Sequence, residues 1–227
     1  MERNRLKRIN ILLLACAAIC LVCYDILGGL WLKGVTSGWF VLLGSVNLWA
    51  MRNLDRKLRH FGILMVAGLF CGMCADVLLG IAFYAGVGVF ALGHILYFLA
   101  FCVLEKFRVR DLAITIPLAL FSIFLVTGTP WIHVTDPLLQ KLVPIYALII
   151  AVMLGKAIGN LIRCPSLFRW ILAIGCLMFW VSDLALAVGM FGQSSRLTWV
   201  LCSYNYWPGQ NILAHALYHS GRLPKNT

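Results

Sequence analysis

FGILMVAGLFCGMCADVLLGIAFY, residues 61–84, is an unbroken apolar run in which Asp76 is the one charged side chain. A helix needs about 20 predominantly apolar residues to cross the hydrocarbon core of a bilayer. The run therefore predicts a transmembrane helix that carries a carboxyl group into the membrane. The composition agrees, because 62% of the 227 residues are hydrophobic and only 12% are charged. A typical soluble domain has about twice that charged fraction.

Similar apolar runs occur along the whole chain, separated by charged residues or by glycine and proline. They predict an all-α fold, a polytopic membrane helix bundle of about eight transmembrane helices. We expect one transmembrane domain covering residues 1–227. The first run is too long for the core of a signal peptide, so we expect it to remain as the first span. The predicted spans cover residues 9–31, 36–51, 61–84, 87–104, 112–129, 138–161, 170–192 and 197–218.

The lysine and arginine residues predict the orientation, because cytoplasmic loops of membrane proteins carry an excess of both. Alternate loops hold nearly all of them, whereas the opposite side has only Lys33, Lys141 and Arg196. Both termini are therefore expected in the cytoplasm. Basic cytoplasmic loops also account for the net charge of +11, so no nucleic-acid partner is needed to explain it. Short loops without a targeting signal favour a bacterial inner membrane. The residues assigned to the cytoplasmic side are Arg3, Arg5, Lys7, Arg8, Arg52, Arg56, Lys57, Arg59, Lys106, Arg108, Arg110, Arg163, Arg169, Arg222 and Lys225.

Four ionisable side chains reach a similar depth in the outer half of the predicted spans, namely Asp25, Asp76, His94 and Asp183. Each costs roughly 2.5–3.5 kcal/mol to insert, so each requires a structural or functional reason. At about 1.5 Å per residue, all four lie on the order of 10 Å below the outer surface. They predict a polar cavity in the outer half of the bundle. Asp25 is nearest to the interface, and we expect it to have a structural role.

Two carboxyl groups in one apolar site predict acid/base chemistry. An apolar setting keeps a carboxylic acid protonated near neutrality, and a second carboxyl nearby drives the two groups to opposite protonation states. Aromatic and amide side chains are predicted near the same level. Pro208-Gly209 is expected to kink the last span beside them. These side chains are Tyr97, Tyr146, Tyr204, Tyr206 and Gln210.

Three blocks of the sequence resemble the YhhN family of membrane proteins, whose characterised members are lysoplasmalogenases. The first is GLFCGMCADVLL (68–79), similar to G-L-x-F-S-x-x-G-D-x-x-L, followed by FALGHILY (90–97), similar to F-x-x-A-H-x-x-Y. The second is FWVSDLALA (179–187), similar to F-x-x-S-D-x-x-L-A, and the third is YWPGQNILA (206–214), similar to Y-Y-x-A-Q-x-L-I-A. Cys74-Ala75, Gly93 and Pro208 depart from these patterns, and Pro208 affects the direction of Gln210.

The resemblance implies an integral membrane hydrolase that cleaves the vinyl ether bond of lysoplasmalogens to a fatty aldehyde and a glycerophospho-base. It implies Asp76, Asp183 and His94 as catalytic residues, and the sequence leaves open which aspartate is the acid. The partners would be a lysophospholipid substrate and membrane lipid, with no cofactor and no metal. The residues proposed to bind substrate are Tyr97, Tyr146, Ser182, Tyr206 and Gln210.

Two other classes of function fit intramembrane acids. One is a small proton-coupled transporter or lipid-binding membrane protein without catalysis, in which intramembrane acids and a broken helix are common. The other is a metal-dependent membrane amidase or esterase, for which one histidine at membrane depth is too few. Aldehyde release by the purified protein would separate the proposed hydrolase from a transporter.

Overall fold

The protein is all-α in a computed structural model that describes residues 3–53 and 55–220, within which no strand occurs. This confirms the predicted fold class. The first helix begins on the same side of the bundle on which the last helix ends, because the number of described helices is even. Arg222 and Lys225 of the predicted cytoplasmic tail lie outside the described residues. The helices are α1 (Arg3–Leu27), α2 (Leu30–Ala50), α3 (Arg56–Ile81), α4 (Phe83–Leu104), α5 (Val109–Thr127), α6 (Pro137–Arg163), α7 (Leu167–Phe191) and α8 (Arg196–Ser220).

Six of these helices, α1 and α3 to α7, are long and apolar enough to cross a membrane. The protein is therefore a multi-pass membrane protein. Helices α2 and α8 are not among these six, and both carry polar side chains that are buried against the bundle, among them Ser37 and Asn47 on α2 and Gln210 on α8. Such side chains lower the hydropathy of a helix without exposing polar groups to lipid. That α2 and α8 also cross the membrane stays a prediction.

Helices that follow each other in the chain pack as antiparallel neighbours except for α4 and α5, since α4 packs against α6 instead, and α8 returns to contact α1, α2 and α3. Large apolar side chains fill the centre, and Phe40, Phe61 and Phe179 are almost fully enclosed. Other large apolar side chains face outward, as Leu120 and Phe124 do at 64% and 63% exposure on α5. Apolar surface on this scale is what lipid, rather than water, is expected to cover.

The connection between α1 and α2 corrects the predicted boundaries. The sequence predicted a break at residues 32–35, but α2 already begins at Leu30. The turn is formed instead by Gly28 and Gly29, whose φ angles of 66° and 95° are reached readily only by glycine. Lys33, which was predicted to lie in an outer loop, is consequently part of a helix.

The outer end of α6 is fixed by Asp136. Its Oδ1 accepts hydrogen bonds from the backbone N–H groups of Leu138 and Leu139 at 2.8 and 2.9 Å. The hydroxyl of Tyr84 at the start of α4 donates to Oδ2 at 2.7 Å. The Leu139 N–H, the Tyr84 hydroxyl and the Leu138 N–H together hold the pKa of Asp136 below its usual range. Helices α4 and α6 are thus tied together beside the site described below.

The opposite end of the bundle contains an ion-pair network around Asp111. Lys156 is fully buried, and its Nζ lies 3.3 Å from Asp111 and 2.8 Å from Asn160 Oδ1. Arg163 also donates to Asp111. A buried charge is tolerated only when it is paired and hydrogen-bonded. The network therefore joins α5 to α6 at the end that the basic residues assign to the cytoplasm.

Candidate active site

A cavity of ≈ 260 Å³ lies at the end of the bundle opposite the Asp111 network. Its walls come from the ends of α1, α3 and α7 and from the beginnings of α2, α4 and α8. Both predicted acids, Asp76 on α3 and Asp183 on α7, line it. Ser182 and Tyr206 of the predicted substrate-binding residues line it as well. The fold thus brings the two carboxyl groups into one cavity from helices that are separated by about half of the chain.

Asp76 is 2% exposed and is surrounded by hydrogen-bond donors. Ser37 Oγ donates to Asp76 Oδ2 at 2.5 Å, and the Tyr206 hydroxyl donates to the same oxygen at 2.7 Å. Lys33 Nζ lies 3.5 Å from Oδ1. The indole N–H of Trp207 donates to Ser37 Oγ at 3.0 Å and so orients the serine hydroxyl towards Asp76. An ionised carboxylate would satisfy all three of its donors.

Asp183 has a different environment. The Tyr146 hydroxyl donates to Asp183 Oδ2 at 2.6 Å, and His94 Nε2 lies 3.4 Å from the same oxygen. The other ring nitrogen, Nδ1, is 2.8 Å from the carbonyl oxygen of Phe90. A carbonyl oxygen only accepts, so Nδ1 carries a hydrogen and donates it.

Among the described residues His94 Nε2 has no hydrogen-bond partner, and Asp183 Oδ2 lies 3.4 Å from it. With a hydrogen on Nδ1, a neutral imidazole presents a lone pair at Nε2, which would face an unprotonated carboxylate. The contact is attractive only when a proton lies on Nε2 or on the carboxyl group. His94 is fully buried and packs against Phe179 and Tyr146 at ring-centroid distances of 4.6 and 5.4 Å. Its position behind Asp183 suits orientation of that carboxyl and not contact with a phosphate.

Tyr97 and Gln210 lie beneath the cavity. Neither is among the described residues that line it. Both are fully buried, and the Tyr97 hydroxyl donates to Gln210 Oε1 at 2.7 Å. A Cβ added to Gly72 would come within 2.9 Å of Gln210 Nε2 and 3.3 Å of the Tyr206 hydroxyl. Glycine at this position therefore lets the amide pack against α3 beneath Asp76. Direct contact of Tyr97 or Gln210 with substrate stays a prediction.

An apolar groove adjoins the polar cavity. It is lined by side chains of α3, α4, α6 and α7, and Asp183 and Tyr146 are its polar members. The cavity and the groove share five lining residues, so Asp183 stands where the two spaces meet. The shared residues are Leu79, Phe90, Asp183, Leu186 and Met190.

Asp25 lies outside the cavity, although its predicted depth matched that of the other acids. Both of its carboxylate oxygens accept from the Arg196 guanidinium, at 3.0 and 3.1 Å. The Tyr204 hydroxyl donates to Asp25 Oδ2 at 3.0 Å. This contact joins the outer ends of α1 and α8, as the expected structural role requires.

Lys33, Ser37 and Trp207 are the residues around Asp76 that the sequence did not indicate. Lys33 and Ser37 are four residues apart and therefore lie on one face of a helix, which was the available signal. The predicted loop at residues 32–35 hid this spacing. Trp207 is adjacent to Tyr206 in the third motif block, but nothing in the sequence connects it with Ser37.

The fold and the cavity define a multi-pass helical membrane protein with two carboxyl groups in one intramembrane cavity. The chain belongs to the YhhN family, whose model matches residues 38–217. The match includes Asp76, His94 and Asp183, and it begins after Lys33 and Ser37. No curated protein and no solved structure matches the chain.

Proposed function

We propose that the protein is a membrane hydrolase that cleaves the vinyl ether bond of lysoplasmalogens, releasing a fatty aldehyde and a glycerophospho-base. The observation that carries the proposal is the presence of Asp76 and Asp183 in one cavity that continues into an apolar groove. Membership of a family whose characterised members are lysoplasmalogenases supports it. The proposed location is a bacterial inner membrane, with the cavity facing the non-cytoplasmic side.

Two carboxyl groups suit this reaction because a vinyl ether is cleaved by acid. Protonation of the β-carbon of the alkenyl chain produces an oxocarbenium ion, in which the ether oxygen shares the positive charge. Water adds to the neighbouring carbon, and the resulting hemiacetal breaks down to aldehyde and alcohol. Pairs of carboxyl groups handle the same kind of cation in the hydrolysis of glycosidic bonds.

In the proposed mechanism Asp183 is the general acid. Its contact with His94 is attractive when the pair carries a proton, and it borders the groove into which an alkenyl chain would fit. Asp76 is the general base and faces the cation. Its three donors, Lys33, Ser37 and Tyr206, favour the carboxylate form. The two carboxyl groups thus begin the reaction in opposite protonation states.

The proton transfers return both groups to their starting states. Asp183 gives its proton to the β-carbon, and Asp76 takes a proton from the attacking water. When the hemiacetal breaks down, Asp76 returns that proton to the departing glycerol oxygen, and the hydroxyl proton of the hemiacetal passes to Asp183. One water molecule is consumed in each cycle, and no oxidant or reductant is required.

The test is aldehyde release from a lysoplasmalogen by the purified protein in detergent. Wild-type protein should produce aldehyde, and Asp76→Asn and Asp183→Asn should each lower kcat by about 100-fold or more, the usual contribution of a general acid or base. Asp25→Asn is the matched control, because it neutralises a carboxylate near the outer surface that does not line the cavity. It should retain wild-type activity.

Two outcomes would contradict the proposal. Full activity of both cavity variants would exclude the two-carboxyl mechanism. Absence of aldehyde with folded wild-type protein would favour the alternative of a transporter or lipid-binding protein, which performs no chemistry on the lipid.

A further inference from the structure

We propose that Lys33 is the phosphate-binding residue of the site. A single-chain phospholipid would place its phosphate in the polar cavity beside Lys33 and its hydrocarbon chain in the apolar groove beyond Asp183. The inference rests on the proposed function for its class of lipid, but it concerns binding and is testable without any hydrolysis.

The charges in the cavity support this role for Lys33. Among the described residues that line the cavity, Lys33 carries the only positive charge, whereas Asp76 and Asp183 are acidic. A phosphodiester near two carboxyl groups needs a cation to offset the repulsion. The Lys33 side chain is 22% exposed, so its ammonium group contacts Asp76 and is still reached from the cavity. Hydrogen bonds from an ammonium group to phosphate are among the stronger ones in proteins.

The position of Lys33 along its helix also fits a lipid phosphate. Lys33 lies in the first turn of α2, about 5 Å from the helix start at Leu30. Asp183 lies deeper, eight residues before the end of α7. A lipid with its phosphate at Lys33 therefore has its first chain atoms near Asp183, as protonation of an alkenyl chain by that group requires.

The groove provides for one hydrocarbon chain. It begins at the residues that it shares with the cavity, and its further lining is apolar except for Tyr146. Its continuity with the polar cavity identifies the occupant as the chain of a lipid whose head group occupies that cavity. The space within the groove is smaller than the cavity, ≈ 80 Å³ against ≈ 260 Å³.

Asp76 and a bound phosphate would compete for the same ammonium group. Lys33 Nζ lies 3.5 Å from Asp76 Oδ1, and a phosphate in the cavity would share this ammonium group with the carboxylate. Neutralising Asp76 should therefore strengthen phosphate binding, whereas neutralising Lys33 should weaken it. A purely structural role for the Lys33–Asp76 pair predicts no such opposite effects.

The test compares three ligands by titration calorimetry in detergent. The first is a 1-O-alkyl lysophosphatidylcholine, whose saturated ether has no vinyl bond to cleave. The second is the 1-O-alkylglycerol with the same chain and no phosphate. The third is glycerophosphocholine, which has the phosphate and no chain. Because none of them is a substrate, loss of the proposed hydrolase activity would leave this test intact.

Lys33→Met should weaken binding of the alkyl lysophospholipid by about tenfold or more, the effect of losing a charged hydrogen bond. Its affinity for the alkylglycerol should stay within about twofold. Lys33→Arg keeps the charge and should bind the lysophospholipid as wild type does. Asp76→Asn should bind the lysophospholipid more tightly and the alkylglycerol equally well. Equal losses for both lipids in Lys33→Met, or no gain in Asp76→Asn, would overturn the assignment.

The groove is tested with Ala187→Phe, which fills a part of it away from the cavity. Binding of both single-chain lipids should fall by at least about fivefold, because the chain loses its contact area. Leu120→Phe is the control, since Leu120 is 64% exposed on α5, away from the site. Glycerophosphocholine should bind much more weakly than the lipid to wild-type protein. Equal affinity of these two ligands would identify a site for a free phosphodiester instead of a lipid.

Discussion

At the scale of single residues, the two aspartates differ in the groups that face them. Asp76 is approached by an ammonium group and two hydroxyl groups, and Asp183 by one hydroxyl group and an imidazole. Two carboxyl groups in one cavity need such a difference if one is to give a proton while the other receives one. The proposed mechanism therefore depends on the neighbours of each aspartate as much as on the aspartates.

Tyr146→Phe tests this dependence. The substitution removes the hydroxyl that donates to Asp183 at 2.6 Å and retains the ring that packs on His94. We expect kcat for aldehyde release to fall by about tenfold, with a smaller effect on KM, because the hydroxyl orients the acid and does not hold the head group. Tyr84→Phe is the matched control, since its hydroxyl bonds to Asp136 at the surface. Equal kcat values for the two variants would exclude a role for Tyr146 in positioning Asp183.

At the scale of helices, close packing at glycines determines where the catalytic side chains lie. Helices α3 and α4 are separated by Ala82 alone, and the first turn of α4 approaches α3 at Gly86. A Cβ at Gly86 would lie 2.6 Å from the backbone nitrogen of Leu79. Leu79 is three residues beyond Asp76, so this contact helps to set the position of that carboxyl group relative to His94.

Gly86→Ala and Gly88→Ala form a matched pair for this contact. At Gly86 the added methyl group meets backbone atoms that cannot rotate away, so we expect destabilisation by about 1–3 kcal/mol. At Gly88 a Cβ meets nothing within 4 Å, and the change should be neutral or stabilising by up to about 1 kcal/mol through helix propensity. Thermal unfolding in detergent should show a lower Tm for the first variant only. Similar Tm values would contradict the close approach of α4 to α3.

The helices could be predicted from the sequence more fully than the site. Apolar runs and basic loops identified all eight described helices, and their ends differ mostly by a few residues. One six-residue error, at the start of α2, came from Lys33, because a charged residue followed by glycine has the pattern of a loop. Nothing in the sequence specifies that this charge pairs with Asp76 on another helix. Depth along a helix follows from residue counting, whereas contacts between helices depend on rotation and packing.

The sequence does not specify contacts between helices, and this also explains where the structure places the other predicted site residues. Their equal depth along the predicted helices brought Asp76 and Asp183 together, and the cavity contains both. Tyr97 and Gln210 occur in the first and third motif blocks but lie behind the cavity wall, bonded to each other. A motif therefore indicates that residues are near a site. It does not separate the residues that line the site from those that pack behind it.

At the scale of the whole molecule, the two ends of the bundle have different electrostatics. One end contains the buried network of Asp111, Lys156 and Arg163, next to loops rich in basic residues. The other end contains the acidic cavity with Lys33 as its cation. Basic loops are retained on the cytoplasmic side during insertion. The proposed substrate would therefore bind from the outer leaflet, with its phosphate at the outer surface.

Cysteine labelling on intact cells tests this orientation. His133 is exposed in the loop between α5 and α6, and Asn53 is exposed between α2 and α3. A membrane-impermeant maleimide should label His133→Cys in intact cells, and Asn53→Cys only after the cells are permeabilised. The wild-type protein, with its nine cysteines, provides the background. Labelling of Asn53→Cys alone in intact cells would place the cavity on the cytoplasmic side and make the inner leaflet the source of lipid. Because insertion keeps Arg52, Arg56 and Lys57 beside Asn53 in the cytoplasm, we expect the first result.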